Sequence, residues 1–410
     1  MKFTTKKVAD LIAEGVLEHP LDGNHGEKHP KTSDYVKEGI PFILVPDLVC
    51  GKVDLDNCNY ITEKQAKTLR KGFSKTGDVL FTHKATIGKV AIVDTKEYPY
   101  IILTPQITYY RLKNENVLDR GYLYYYFTSK PFQEHFKLFA SSGGTRAYLG
   151  ITAQEKLNIV YPKLNEQKNI VKILSNYDEL IENNNKRIKL LEQMAENLYK
   201  EWFVRRRKVD WALVKLSQLG YSIESGSRPK GGIDGSLQEG YPSLGAEAIG
   251  KLGEFDFSST KLVPAEFYHK LKRGLGRDKD ILLYKDGAYI GKVTLFMDEF
   301  PYKNYAINEH VFLMRSNNPL YQYYLYFTLA LPQYFTQMQN LNRNAAQPGL
   351  TGKDLDILKL YQPDEETIKK FNEVVEPILH NIFSLARQNQ NLAKQRDLLL
   401  PRLMSGKLEV

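Results

Sequence analysis

The feature that most constrains this chain is that it is written twice. The passage "DVLFTHKATIGKV" (78–90) returns as "DILLYKDGAYIGKV" (280–293). Around it, "EGIPFILVPDLVCGKVDLDNCNYIT" (38–62) faces "EGYPSLGAEAIGKLGEFDFSSTKLV" (239–263), and "LRKG" (69–72) faces "LKRG" (271–274). Further on, "LGIT" (149–152) faces "PGLT" (348–351), and "NIVYP" (158–162) faces "KLYQP" (359–363). A whole unit of about 200 residues is therefore duplicated, unlike a solenoid, whose period is 20–50 residues. At 410 residues the chain also exceeds what one hydrophobic core usually organises.

Each half changes character along its length. "DVLFTH", "KVAIVD" and "QITYYRL" are short, β-branched and aromatic, as strands are. "DRGYLYYYFTSKPFQEHFKLFA" (119–140) reads as two helices parted near Pro131, and 318–341 repeats the pattern at Pro332. The last 45 or so residues of each half carry a single apolar stripe at alternating steps of four and three. In the first half it runs Ile170, Leu174, Tyr177, Ile181, Asn184, Ile188, Leu191, Ala195, Leu198, Trp202. In the second it runs Phe371, Val375, Ile378, Ile382, Leu385, Asn389, Leu392, Arg396, Leu399, Leu403.

Such a stripe on a lone helix would face water, so each needs a partner: its own globular domain or the other helix. The sustained heptads favour helix pairing, and a duplicated chain with pseudo-twofold symmetry pairs its helices antiparallel. One register sets Asn184 against Asn389, Ile188 against Leu385, Leu191 against Ile382, Leu198 against Val375, Leu174 against Leu399 and Trp202 against Phe371. A shift of one heptad buries each Asn against an apolar residue, so the pair specifies the register. Arg396 opposite Tyr177 is expected to be a weak layer, and Pro377 to bend or restart the second helix. The expected fold is α+β: two globular α/β domains, 1–160 and 209–363, separated and joined by long helices within 161–208 and 364–410 that pair as an antiparallel coiled coil.

Catalytic signatures are missing. The Gly-Lys steps in "TIGKV", "YIGKV", "TGKD" and "SGKL" do not continue as a phosphate-binding loop. No G-x-S-x-G elbow, H-E-x-x-H pair or Pro-Pro dipeptide occurs, and the last excludes the Asn/Asp-Pro-Pro-aromatic motif of amino-methylating enzymes. His19, His25 and His29 lie near Asp22 and Glu27, but their spacing matches no standard ligand set. Cys50 and Cys58 support neither a disulfide framework nor a zinc knuckle. No run reaches the ~20 apolar residues of a bilayer span, and the N-terminus has no signal core, so a cytoplasmic protein without membrane contact is expected. The chain reads as a binder, and its net charge of +9 with pI ≈ 9.1 suits a polyanion.

Three polar, basic, Gly-rich segments recur at corresponding places in each half: 22–35, 82–88 and 141–148, then 224–235, 284–291 and 340–349. They supply the candidate DNA contacts. In the first half these are His25, Lys28, His29, Lys31, Lys84, Thr86, Thr145 and Arg146; in the second, Arg228, Lys230, Lys285, Tyr289, Arg343, Asn344 and Gln347. Arg and Lys can address guanine, Asn and Gln adenine, and Lys grips phosphates. An ordinary surface loop is the commoner fate of any one of them; as a set they favour DNA. The framework repeats while these segments diverge, His83 to Thr86 against Lys285 to Tyr289 most visibly, whereas Gly88 and Gly291 repeat as scaffold. Equal scaffolds with unequal loops imply a bipartite, asymmetric target. The 33-residue stripe spans ~50 Å at ~1.5 Å per residue, more than the ~34 Å of one DNA turn. The basic run "FVRRRK" (203–208) suits either a helix C-terminus or phosphates between half-sites.

The whole chain resembles the specificity subunit of type I restriction–modification systems. The resemblance rests on "LVKLSQLGYSIESGSRPKGG", the two IGKV passages, "YPKLNEQKNIVKILSNYDELIENNNKRIKLLEQM", "AKQRDLLLPRLMSGKLEV" and the segment "DGNHGEKHPKTSDYVKEGIPF". It implies that each variable domain reads half of a split site on double-stranded DNA. It implies that the helices set the spacing and dock two methylation subunits, which use S-adenosylmethionine to methylate adenine at N6. Two restriction subunits would add an ATP-dependent nuclease with Mg²⁺, leaving this chain without a cofactor. The alternatives are a specificity chain for a solitary N6-adenine methyltransferase, a self-sufficient nuclease, and a coiled-coil scaffold that reads no DNA.

Overall fold

The duplicated passage forms the same strand–turn–strand in both halves. Val79–Thr82 pairs antiparallel with Val90–Ile92, and Asp280–Tyr284 with Val293–Phe296. The acid that opens the passage is a buried anchor. Arg111 grips Asp78 through Nε at 2.8 Å and Nη2 at 2.7 Å, and Arg315 grips Asp280 through the same two nitrogens at 2.6 Å each. Bidentate Arg–carboxylate bonds of this kind hold neighbouring strands in register. The closing glycines, Gly88 at φ +91° and Gly291 at φ +89°, sit where a Cβ would press on Gln133 and Met338, so both serve the scaffold.

The structure is a computed structural model that describes residues 1–95, 97–141, 147–287, 289–341 and 349–410. It divides into two units, Met1–Asp178 with Ala393–Val410, and Glu179–Leu392. In the first unit, a six-stranded sheet runs in the order 21–22, 107–110, 79–82, 90–92, 52–53, 48–49. A five-stranded sheet runs 35–36, 59–61, 40–43, 101–103, 73–74, with Ile102 parallel to Phe42. In the second unit, a four-stranded sheet runs 221–225, 311–316, 280–284, 293–296. Its companion runs 261–263, 241–244, 306–307, with Ser243 parallel to Ala306.

Paired helices cover each main sheet: Arg120–Thr128 and Lys130–Ser141, then Gln322–Ala330 and Pro332–Leu341. The break falls at the residue or two before each proline's turn, as a missing N–H dictates. In the first unit Phe81 packs edge-on against Phe136 at 4.5 Å and meets Phe127 and Phe132 within 5.7 Å. A fully buried aromatic of this size contributes about 1.5–3 kcal/mol.

The long helices span Leu164–Tyr199 and Glu365–Met404. None of the stripe positions is exposed. Both expected partners are used. Within the second unit Asn184 Nδ2 donates to Asn389 Oδ1 at 3.0 Å, and Trp202 meets Phe371 at 6.2 Å. One residue number rises as the other falls, so the helices are antiparallel. The second helix also buries Ile368, Leu379, Phe383 and Ala386 outside the stripe. Phe383 reaches Phe300 at 5.8 Å, and Glu376 binds Lys279 at 2.6 Å and the Tyr323 hydroxyl at 2.8 Å. Within the first unit Ile170, Leu174 and Leu403 share the core with the helical aromatics.

Two expectations change, the restart at Pro377 and the weak layer at Arg396, and one is extended. Pro377 does not restart the helix, which is continuous; Pro377 and Glu373 lie on its exposed face, where the carbonyl freed by the missing N–H can meet water. The expected pair of Trp202 with Phe371 is present, and the π-helical turn Lys200–Arg205 that closes the first helix adds Phe203 as a second, buried contact with Phe371, at 4.9 Å, beside the half-buried Trp202. Arg396 is no weak layer: its Nη1 binds Asp178 Oδ1 at 2.5 Å, and Asp178 also accepts the Tyr125 hydroxyl at 2.5 Å.

Candidate nucleic-acid interface

In each unit the divergent segments meet at one place. In the first, Lys84 forms a bridge with Tyr148, and the Ala85 amide donates to the Ala147 carbonyl at 3.1 Å. In the second, Asp286 forms the equivalent bridge with Gly349, and the Leu350 amide donates to the Lys285 carbonyl at 2.8 Å. The remaining segment is drawn in by glycine. A Cβ on Gly23 would lie 1.9 Å from the Leu103 carbonyl oxygen, and one on Gly226 would lie 1.8 Å from that of Ile307. Only a residue without a side chain lets these backbones touch.

The hub of the first unit is acidic and enclosed. Asp22 accepts from His25 Nε2 at 2.8 Å and from Lys71. Burial pushes the Asp22 carboxyl up, but Lys71 and His25 outweigh it and hold it below the usual range. His83 is fully buried beside it, with Nδ1 3.0 Å from the Leu149 carbonyl and Nε2 3.9 Å from Asp22. Burial pushes its pKa down against the pull of Asp22. His83, a divergent loop letter, is therefore a support and not a surface reader. His25, Lys84 and Thr86 are exposed around this hub, and Tyr148, half-exposed, lies under the Lys84 ammonium at 5.8 Å. Ala85, at φ +65°, holds the turn that Gly287 holds at +88° in the second unit.

Lys28, His29 and Lys31 belong to a separate group over the five-stranded sheet. Lys28 Nζ reaches the Thr68 carbonyl at 3.4 Å. His29 is half-buried edge-on to Phe42 at 5.6 Å, and burial pushes its pKa down. The Lys31 amide is capped by Asp34 at 2.7 Å, and its side chain is exposed.

In the second unit Lys285 is half-buried, 3.2 Å from Ser225 Oγ and over the Phe312 ring at 4.9 Å. Arg228, Lys230 and Tyr289 are exposed, with Lys292 over the Tyr289 ring at 4.2 Å. A chain of polar contacts crosses the site: Arg228 Nε to Glu309 at 2.9 Å, Glu309 to His310 Nε2 at 3.4 Å, and His310 Nδ1 to Asp286 at 2.9 Å. Glu309 and His310 escaped the sequence reading. A signal was present, because "PQ" at 105–106 stands where "EH" stands at 309–310: the His83 amide donates to Gln106 as the Lys285 amide donates to His310. Thr145, Arg146, Arg343, Asn344 and Gln347 lie outside the described residues.

The basic run at 203–208 is committed within the second unit. Arg205 and Arg206 pair with Glu201 at 3.2 and 2.7 Å, Arg207 stacks on Tyr361 at 3.9 Å, and Lys208 binds Asp364 at 2.8 Å. Among the described residues no His, Cys, Asp or Glu cluster could hold a metal, and no helix is long and apolar enough to cross a membrane.

Comparison with known proteins gives a consistent picture. A family model for the type I restriction modification DNA specificity domain matches residues 21–193. The MjaIX specificity subunit of Methanocaldococcus jannaschii is 26% identical, over 93% of this chain and 89% of its own. The HindI specificity subunit of Haemophilus influenzae is 24% identical, over 90% of this chain and 94% of its own. The S subunit of a type I restriction–modification system from M. genitalium shares the fold with a TM-score of 0.58 at 16% identity, covering 98% of this chain and 96% of that one.

Proposed function

We propose that this chain, similar over about nine-tenths of its length to type I restriction specificity subunits, is itself such a subunit and reads a bipartite, asymmetric site on double-stranded DNA for a methylation and restriction complex. The observation that supports this most is the matched pair of loop clusters. One scaffold, built twice around the same bridge, presents Lys84, Thr86 and Tyr148 in one unit and Arg228, Lys285 and Tyr289 in the other. Different side chains on equal supports suit two different half-sites. Lys and Arg supply the phosphate attraction, and loop side chains read base edges.

The chain contributes recognition and assembly. Two methylation subunits dock on the paired helices, bind S-adenosylmethionine and methylate adenine at N6. Two restriction subunits supply the ATP- and Mg²⁺-dependent cleavage. The test is to map N6-methyladenine in DNA from cells expressing the chain with its methylation partner. A split, asymmetric motif supports the proposal; a continuous palindrome overturns it.

A further inference from the structure

We infer that Arg228 reads a guanine in the half-site of the second unit, and that Glu309, His310 and Asp286 are the positioning residues that aim it. This rests on the proposal that the loop clusters face DNA, and it names one base and one side chain within that reading.

The local sequence prepares the arginine. "SGSRPKGG" places Arg228 directly before Pro229, which keeps the preceding backbone extended. A turn follows at once, closed by the Gly232 amide on the Pro229 carbonyl at 3.1 Å, with Gly231 and Gly232 both at φ +90°. Gly226, pressed on the Ile307 carbonyl, brings this segment alongside Glu309. Arg228 is ion-paired with Glu309. Its Nε lies 2.9 Å from Glu309 Oε1, and Nη1 and Nη2 take no partner among the described residues. With 37% of its side chain exposed, Arg228 is open to solvent beside Glu309.

An exposed guanidinium with two uncommitted nitrogens has the donors that a bidentate reader of guanine needs. Two parallel N–H donors match O6 and N7 in the major groove, and no other base edge offers two acceptors so placed. The support is itself supported. Glu309 Oε2 is enclosed without a hydrogen-bond partner among the described residues, so its charge is answered by Arg228, while His310 Nε2 lies 3.4 Å from Glu309 Oε1 and Asp286 lies 2.9 Å from the far side of the His310 ring. A carboxylate at a surface meant for phosphates is unfavourable unless it organises a cation, and the chain of contacts gives Glu309 that task. At the matching sequence position the first half carries His25, which stands beside Asp22.

The experiment maps N6-methyladenine genome-wide for the full chain co-expressed with its methylation partner, as wild type, Arg228→Ala, Arg228→Lys and Glu309→Gln. The wild-type motif contains guanine in the half-site of the second unit. Arg228→Ala and Arg228→Lys lower discrimination at that one position about 5- to 150-fold, the range of a lost bidentate contact. Arg228→Lys keeps the salt dependence of DNA binding while losing the discrimination, which a phosphate contact would not do. Glu309→Gln relaxes the same position and no other. The half-site of the first unit reports folding and assembly in every variant. A half-site without guanine overturns the inference, as does equal weakening on all sequences. Exchange of residues 209–363 separates the two levels: if it replaces that half of the motif while Arg228→Ala leaves the motif unchanged, the DNA-reading proposal stands and the arginine assignment fails.

Discussion

Asn184 and Asn389 offer a direct test of how the long helices are held. Asn184 is 7% exposed and donates to Asn389, whose own amide donates to Asn185 at 2.7 Å. Asn184→Leu leaves the Asn389 oxygen facing an alkyl chain. A buried acceptor stripped of its donor costs about 1–3 kcal/mol, and Asn389, half-buried and still bound to Asn185, falls in the lower part, about 1–1.5 kcal/mol. Asn389→Leu strands the more deeply buried Asn184 amide and costs about 1–2 kcal/mol. The double Leu variant closes an apolar layer and returns to within about 1 kcal/mol of wild type, or above it. The assay is urea unfolding followed by tryptophan fluorescence. Both tryptophans of the chain, Trp202 and Trp211, lie in the second unit, so the signal reports the unit that holds the pair. At a slope of about 3 kcal/mol/M, each single variant lowers the midpoint by about half a molar. A coupling of at least about 1 kcal/mol is expected. Single effects that add in the double variant, to within about 0.5 kcal/mol, refute the reasoning.

Two further predictions concern the supports beneath the loops. Gly226→Ala puts a methyl group within 2 Å of the Ile307 carbonyl, which backbone cannot yield, so the second unit loses roughly 3 kcal/mol or more in the same unfolding assay; a stable Gly226→Ala protein contradicts the packing. His83, whose folded pKa is depressed by burial, binds its proton more readily when unfolded. Stability of the first unit is therefore complete above the ordinary histidine value of 6.5 and falls as pH drops below it. Amide exchange across the strand Val79–Thr82 measures this, and unchanged protection between pH 7 and pH 5 counts against it.

Much of the fold was legible because it rests on periods. The duplication, the strands of the IGKV passage and the two stripes follow from apolar spacing, and spacing survives without knowledge of tertiary contacts. The π turn at 200–205 was not legible, because the one-residue slip that adds Phe203 beside Trp202 is decided by the pocket around Phe371 and Tyr324. The loop segments were legible as a set through their divergence, yet individual roles were not. His83 looks like a polar loop letter and is buried because Asp22 and Leu149 close over it from distant segments. Glu309 and His310 sit at the head of a strand and gain meaning only when Arg228, about 80 residues earlier, is folded against them. Local pattern places elements; it does not say which loops meet.

The central claim is that each unit reads its own half of the target. It is tested most directly by replacing residues 1–160 with the matching segment of another specificity subunit and mapping N6-methyladenine with the methylation partner. The account predicts that one half of the motif changes and the other half stays as it was. A motif altered in both halves, or in neither, contradicts it.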